Sequence, residues 1–124
     1  MVGQRQVGSQ MDAQPSTVDL RGKEHHFARY VAGGLALPVD GGRAGGVIQE
    51  GKDAGRHSTI ATGNQLKVVA NAALARDTRV TAMANGRARA AAAGEEVNGV
   101  VIEPSGAAGE MCLIEFNPTG ALPA

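Results

Sequence analysis

The sequence of 124 residues has almost no aromatic side chains: it contains no Trp, one Tyr and two Phe. An aromatic side chain buries roughly 150–250 Å², so the core of this chain must be built from Val, Ile, Leu, Met and Ala. Proteins that bind single-stranded nucleic acid use aromatic stacking platforms. Small domains with little large apolar surface gain stability from a partner. The scarcity of aromatics therefore argues against single-stranded nucleic acid as a ligand and favours self-association or docking on a larger body.

The sequence also has a single cysteine and no net charge. Cys112 is the only cysteine, so an intrachain disulfide is impossible, and its apolar neighbours predict a small buried side chain. Twelve basic and twelve acidic residues give a net charge of zero, which removes the electrostatic attraction to nucleic acid or an anionic membrane. No apolar run reaches the roughly 18–20 residues of a membrane span, and no signal segment follows Met1. We expect a soluble protein that binds neither nucleic acid nor a membrane.

The histidines and paired carboxylates do not form a recognisable metal or acid–base site. His25 and His26 are adjacent, so on a strand they point to opposite faces, and His57 lies far away in sequence. Glu95 and Glu96 are also adjacent, which sends their carboxylates apart rather than toward one bond. The sequence therefore predicts no metal and no pair of catalytic carboxylates.

Phosphate binding, nucleophilic catalysis and cofactor attachment have equally little support. The glycine-rich run at 41–46 lacks the lysine and hydroxyl of a phosphate-binding loop. Ser58 lies outside a G-x-S-x-G context. A biotinyl or lipoyl carrier would need its lysine at a hairpin tip, whereas Lys67 lies in a predicted strand and Lys52 in a loop. We expect no enzymatic activity, no catalytic residues and no cofactor.

The strongest positive signal is an internal repeat of glycines and aliphatic residues with an offset of 54 positions. It predicts that two stretches share the same turns and the same buried face. The segments that carry it are Gly45-Gly46-Val47-Ile48, Ala54-Gly55 and Ile60, which return as Gly99-Val100-Val101-Ile102, Ala108-Gly109 and Ile114.

Short segments separated by glycine and turn residues predict an all-β domain, a small β-barrel or β-sandwich with an internal quasi-repeat. The predicted strands are 26–31, 35–39, 46–49, 57–61, 65–70, 78–83, 87–91, 98–103 and 110–116. Turns that tolerate positive φ are predicted at Asp40-Gly41-Gly42, Gly63-Asn64, Asn85-Gly86 and Ser105-Gly106.

A helix competes with the strands over residues 70–93, where eleven of 24 residues are alanine. Asn85 and Gly86 in its middle and the β-branched Thr78, Val80 and Thr81 favour strands, with a short helix or turn left open at 71–75. Pro104 should end a strand, because it cannot donate a hydrogen bond to a neighbouring strand.

Residues 1–24 are polar and carry no apolar period, so they form a separate extended N-terminal arm, and residues 25–124 form the β domain. Such a composition does not by itself repay the entropy of ordering. The arm is either a flexible terminus or a segment that becomes ordered on a partner. About 20 extended residues at roughly 3.3 Å each would span on the order of 65 Å.

The sequence resembles the small decoration, or cement, proteins of tailed-bacteriophage heads over roughly residues 27–116. In that family a strand, a polar turn, a second strand and a glycine-containing turn precede a "G-x-A/V" and an "A-G-E" segment. The usual glycine before Asp77 is Arg76 here. The residues that carry the resemblance are Gln65–Ala70, Asp77-Thr78-Arg79-Val80, Asn85-Gly86-Arg87, Gly94–Ile102 and Ala107–Ile114.

The resemblance implies a structural virion protein, made in the bacterial host cytoplasm, that sits on the outside of an icosahedral head. Family members commonly form homotrimers that bridge neighbouring major capsid proteins. On this hypothesis the arm binds the capsid, and deleting residues 1–22 should leave the core folded. A small glycan- or ligand-binding β module on the virion or cell surface is the alternative. The predicted capsid-binding residues of the arm are the apolar Val7, Met11, Val18 and Leu20 and the basic Arg5, Arg21 and Lys23.

Overall fold

The computed structural model describes residues 10–123, and its regular structure is entirely β. The ten strands are β1 (Gln10–Pro15), β2 (Phe27–Val31), β3 (Gly34–Ala36), β4 (Gly46–Glu50), β5 (His57–Thr62), β6 (Gln65–Val69), β7 (Arg79–Ala82), β8 (Ala88–Ala90), β9 (Glu96–Glu103) and β10 (Met111–Ala121).

The strands form two antiparallel five-stranded sheets packed together as a β-sandwich. The first sheet has the order β1-β5-β4-β2-β3, and the second has the order β6-β10-β9-β7-β8. The second order is the first with each strand number raised by five. Residues 10–62 (unit 1) and 65–123 (unit 2) are therefore two copies of one five-stranded unit, as the sequence repeat predicted.

Cross-strand pairs show how the two units correspond. In unit 1 a row across three strands joins Phe27 to Val47 and Val47 to Ala61. The equivalent row in unit 2 joins Arg79 to Val100 and Val100 to Glu115. We call these rows the ladder faces of units 1 and 2.

The structure refines the offset of the repeat. Gly46, which pairs with Ala28, corresponds to Gly99, which pairs with Val80. The sequence had matched Gly99 with Gly45 instead. An offset of 54 holds for Ile60 and its counterpart in β10, but β4 and β9 are only 53 positions apart, because the connection after β9 is one residue longer.

Positive φ recurs at equivalent turns, which explains the repeated glycines. Gly33 and Gly86 both have φ of 89°, Gly41 and Gly94 have 74° and 83°, and Gly55 and Gly109 have 91° and 89°. These backbone conformations are nearly free for glycine and costly for other residues. The predicted turns at 41, 63–64 and 85–86 contain such residues, but near Ser105-Gly106 the positive φ lies at Gly109 instead.

All nine predicted strands are present, with ends that differ by at most five residues. The helix considered for 70–93 is wrong, because β7, the Asn85-Gly86 hairpin and β8 occupy the middle of this range and no part of it is helical. β9 ends at Glu103, as Pro104 predicted. Of the two all-β architectures that the sequence allowed, the structure has the sandwich.

The sequence analysis missed β1, which pairs with β5 from Gln10–Thr62 to Pro15–His57. Beyond β1, Ser16 makes a parallel bridge to Leu35 in β3. Residues 10–15 of the segment assigned to the arm are thus the first strand of unit 1 rather than a separate extension. Deleting residues 1–22 would remove this strand.

Two apolar clusters form the core. One lies inside unit 1 and the other between and within the units. Burying one such aliphatic side chain contributes roughly 1.5–3 kcal/mol. Cys112 is 2% exposed, as predicted, and burial raises the pKa of its thiol. The unit 1 cluster contains Leu20, Ala28, Leu35, Ile48 and Ile60.

Candidate interaction surface

The predicted capsid-binding residues have different surroundings in the structure. Arg5 and Val7 lie outside the described residues. Met11 on β1 and Val18 just after it are 62% and 41% exposed, so both are accessible to a partner. Their role in binding a capsid stays a prediction.

Leu20 is not available as a surface anchor. Its side chain is 0% exposed and packs in the unit 1 cluster, and its backbone N–H donates to the carbonyl of Lys52 at 2.9 Å. Thr17 donates from its backbone and its hydroxyl to the Leu35 carbonyl, both at 2.8 Å. These bonds turn the chain after β1 across unit 1, so Leu20 holds the segment to its own fold.

The two basic residues that follow are part of a local turn. The Arg21 guanidinium donates two hydrogen bonds of 2.9 Å to the Asp19 carboxylate, and this pairing lowers the pKa of Asp19 to about 2. The Lys23 backbone N–H donates to the Leu20 carbonyl at 3.1 Å. The Arg21 charge is therefore already compensated by Asp19 within the same turn.

The outer end of unit 1 carries apolar side chains that the sequence analysis did not assign to a site. Tyr30 is 48% exposed and Val39 57% exposed. The Tyr30 hydroxyl donates to the Asp12 carboxylate at 2.8 Å. Partial burial and the bond to Asp12 raise the pKa of Tyr30 to about 12. No sequence signal marked these residues, because their exposure depends on how the two units are arranged.

A groove of about 430 Å³ lies beside Tyr30. A Cβ atom added at Gly45 would lie 2.6 Å from the Tyr30 ring, so a glycine is needed for the ring to lie against the backbone. Arg43 is exposed and makes no ion pair within residues 10–123. The groove is lined by Arg29, Tyr30, Val39, Gly42, Arg43, Ala44 and Gly45.

We call the positions around Tyr30 and Gly45 the mouth of unit 1, and the equivalent positions of unit 2 its mouth. The mouth of unit 2 is covered by unit 1. The backbone carbonyl of Ala82 accepts from Gly41 at 2.7 Å, and the rings of Phe116 and Phe27 lie 6.3 Å apart. The unit 2 mouth consists of Leu66, Ala82, Asn98 and Phe116, and its unit 1 counterparts are Asp12, Tyr30, Gly45 and Thr62.

An ion-pair cluster spans the same interface. The Arg89 guanidinium lies 2.6 Å from the Glu95 carboxylate and 3.1 Å from the Asp40 carboxylate of unit 1. The paired guanidinium lowers the pKa of Glu95 to about 2 and raises that of Arg89. With Asp40 58% exposed, the Arg89–Asp40 pair contributes little to stability, although it connects β8 with the loop before β4.

The outer face of unit 2 is polar where the equivalent face of unit 1 is apolar. Arg79 and Glu115 are exposed, whereas Phe27 and Ala61 are 0% exposed. A groove of about 360 Å³ on this face is lined by Arg76, Asp77, Val100, Val101, Ile102, Glu103 and Glu115.

The histidines lie apart. His25 and His26 are at the junction of the units, where the His25 carbonyl accepts from Val69 at 2.8 Å. His57 begins β5 and pairs with Pro15. Within residues 10–123, no group of three or more His, Cys, Asp and Glu side chains could hold a metal ion. The described part of the chain contains no helix long and apolar enough to cross a membrane.

The chain matches no protein-family model. It matches no curated protein in sequence. Among solved structures, it is similar to the N base of the head fiber protein gp8.5 in bacteriophage phi29, with a TM-score of 0.75. The similarity covers 94% of this chain and 99% of that chain at 12% sequence identity. The two chains therefore share a fold over nearly their whole length.

Proposed function

We propose that this protein is a structural virion protein that binds the outer surface of an icosahedral phage head. It stabilises the head by bridging major capsid proteins as a homotrimer, and it is not an enzyme. The observation that carries the proposal is the shared fold with a phage head fiber base, which spans almost all of both chains. The motif resemblance to head decoration proteins supports the same role independently.

The exposed surface suits a protein that binds through many modest contacts. Exposed large apolar side chains occur in both units, at Met11, Val18, Tyr30, Val39 and Met111. Repeated copies on a symmetric shell multiply weak contacts into high avidity without a single deep pocket. A protein that bridges capsid subunits can therefore bind through several dispersed weak contacts instead of one high-affinity site.

Sedimentation with phage heads tests the proposal. Purified protein is mixed with heads that lack it, and the pelleted amount is measured against protein concentration. Saturable pelleting at a fixed number of copies per head, together with heads that resist heating better, is the expected result. Protein that stays in the supernatant at every concentration would contradict the proposal.

The contribution of the N-terminus is tested with a deletion of residues 1–9 only. This deletion keeps β1 and Leu20, so the described fold is preserved. Weaker pelleting of the truncated protein would support capsid binding by Arg5 and Val7. Unchanged pelleting would assign attachment to the folded units.

A further inference from the structure

The contact between the two units shows which surfaces of this fold fit together. The ladder face of unit 1 covers the mouth of unit 2, and apolar residues from both meet in one cluster. The ladder face of unit 2 is the counterpart of the ladder face of unit 1, and the mouth of unit 1 is the counterpart of the mouth of unit 2. Both of these remaining surfaces carry exposed side chains. The molecule thus has one complementary pair joined internally and a second pair left open, one member at each end.

The residues on the open pair have changed in a matched way. On the ladder face, Arg79 replaces Phe27. On the mouth, Tyr30 replaces Ala82 and Asp12 replaces Leu66. In the internal contact the Phe27 ring lies beside Phe116, whose unit 1 counterpart is Thr62. A guanidinium in the place of the phenyl ring would therefore meet a threonine on a mouth that also carries the Tyr30 ring and the Asp12 carboxylate, both of which attract it.

The flanking charges are also of opposite sign. The groove beside Tyr30 contains Arg29 and Arg43. The groove on the outer face of unit 2 contains Asp77, Glu103 and Glu115 together with Arg76. Complementary charges of this kind fix the register of an interface and speed association.

We propose that a second copy of this chain docks its unit 2 ladder face onto the unit 1 mouth, head to tail, with Arg79 against Tyr30 and Asp12. This contact continues the interface already present within the chain. It deepens the homotrimer of the proposed function, since a head-to-tail contact closes into a ring when its rotation allows.

The open contact has fewer backbone hydrogen bonds than the internal one. Gly41 donates to Ala82 across the internal interface, whereas its counterpart Gly94 donates to Leu122 of its own chain at 2.8 Å. Side chains therefore carry the contact between copies. We expect association to be reversible and sensitive to charge reversal.

Charge reversal tests the contact by sedimentation velocity over a range of protein concentrations. Arg79→Glu and Asp12→Lys each place like charges together, so each should raise the concentration at half-association by about tenfold or more. The double variant restores opposite charges at every contact and should associate nearly as well as the wild type. A 1:1 mixture of the two single variants restores them only between unlike copies, so it should recover association in part.

The control is Arg56→Glu, which reverses an arginine with 71% side-chain exposure in the β4–β5 connection. It should leave association unchanged, and circular dichroism checks that every variant is folded. A monomeric wild type, single variants that associate normally, or a double variant that fails to recover would each overturn the contact. A monomer that still pellets with heads would overturn this contact alone, whereas an oligomer that never pellets would contradict only the proposed attachment.

Discussion

Asn98 of unit 2 accepts a hydrogen bond at 2.9 Å from the backbone N–H of Ala44 in unit 1. Its side-chain amide also donates to the carbonyl of Gly42 at 3.0 Å. Asn98 is 0% exposed, so the bond from Ala44 is buried and the bond to Gly42 is partly buried at the junction of the units. One side chain thus ties the loop before β4 to the second sheet, and the two sheets should unfold together.

Replacing Asn98 with Ala removes the partner of the buried Ala44 N–H and of the half-buried Gly42 carbonyl. Each unsatisfied group costs roughly 1–3 kcal/mol, so the free energy of unfolding should fall by about 2–4 kcal/mol in urea denaturation. Asn117→Ala, at an exposed position of β10, is the matched control and should change stability by less than about 0.5 kcal/mol. Equal effects of the two substitutions would contradict this role of Asn98.

Leu20 and Val18 should separate a core role from a surface role. Leu20→Ala removes a fully buried side chain, so we expect a loss of about 2–5 kcal/mol in the free energy of unfolding. Val18 is 41% exposed, and Val18→Ala should change stability only slightly. Guanidinium denaturation of both variants measures the difference. A small effect of Leu20→Ala would contradict the core role of Leu20 and would support the surface role that the sequence predicted.

The equivalent glycines Gly46 and Gly99 should both resist substitution for the same reason. An added Cβ would lie 2.6 Å from the carbonyl oxygen of Ala61 at Gly46, and at Gly99 it would clash with the carbonyl oxygen of Glu115. Alanine at either position should cost roughly 1–3 kcal/mol by overpacking, measured by thermal unfolding. Gly106→Ala meets only the flexible end of Glu110 and serves as the control. Equal tolerance at all three glycines would be the contrary result.

Stability should depend on pH through His26. Burial, followed by the nearby Lys23 and Arg87 charges, lowers the pKa of His26 below its ordinary 6.5. The folded state then binds the proton more weakly than the unfolded chain. The stabilising contribution is present above pH 6.5 and is lost as the pH falls from 6.5 toward the folded pKa.

Thermal unfolding at a series of pH values tests this dependence. His26→Asn should flatten the decline below pH 6.5, and His57→Asn, at an exposed position, should leave it unchanged. A decline of the same steepness in the His26 variant would assign the effect to other groups.

The sequence predicted most strands because glycine turns with positive φ separate them, as at Gly41 and Gly86. It could not predict β1, since residues 10–15 have only weak apolar alternation and gain their strand conformation by pairing with β5. The burial of Leu20 depends on the same tertiary contact. The site at Tyr30 was missed because its exposure follows from its place at the open end of a repeat, which only the arrangement of the two units defines.

The proposed place on the head is tested most directly by electron cryomicroscopy of phage heads with and without this protein. The account predicts added density on the outer surface, over neighbouring major capsid subunits, into which the two five-stranded sheets fit. Heads incubated with saturating protein that show no added density, or density only inside the shell, would contradict it.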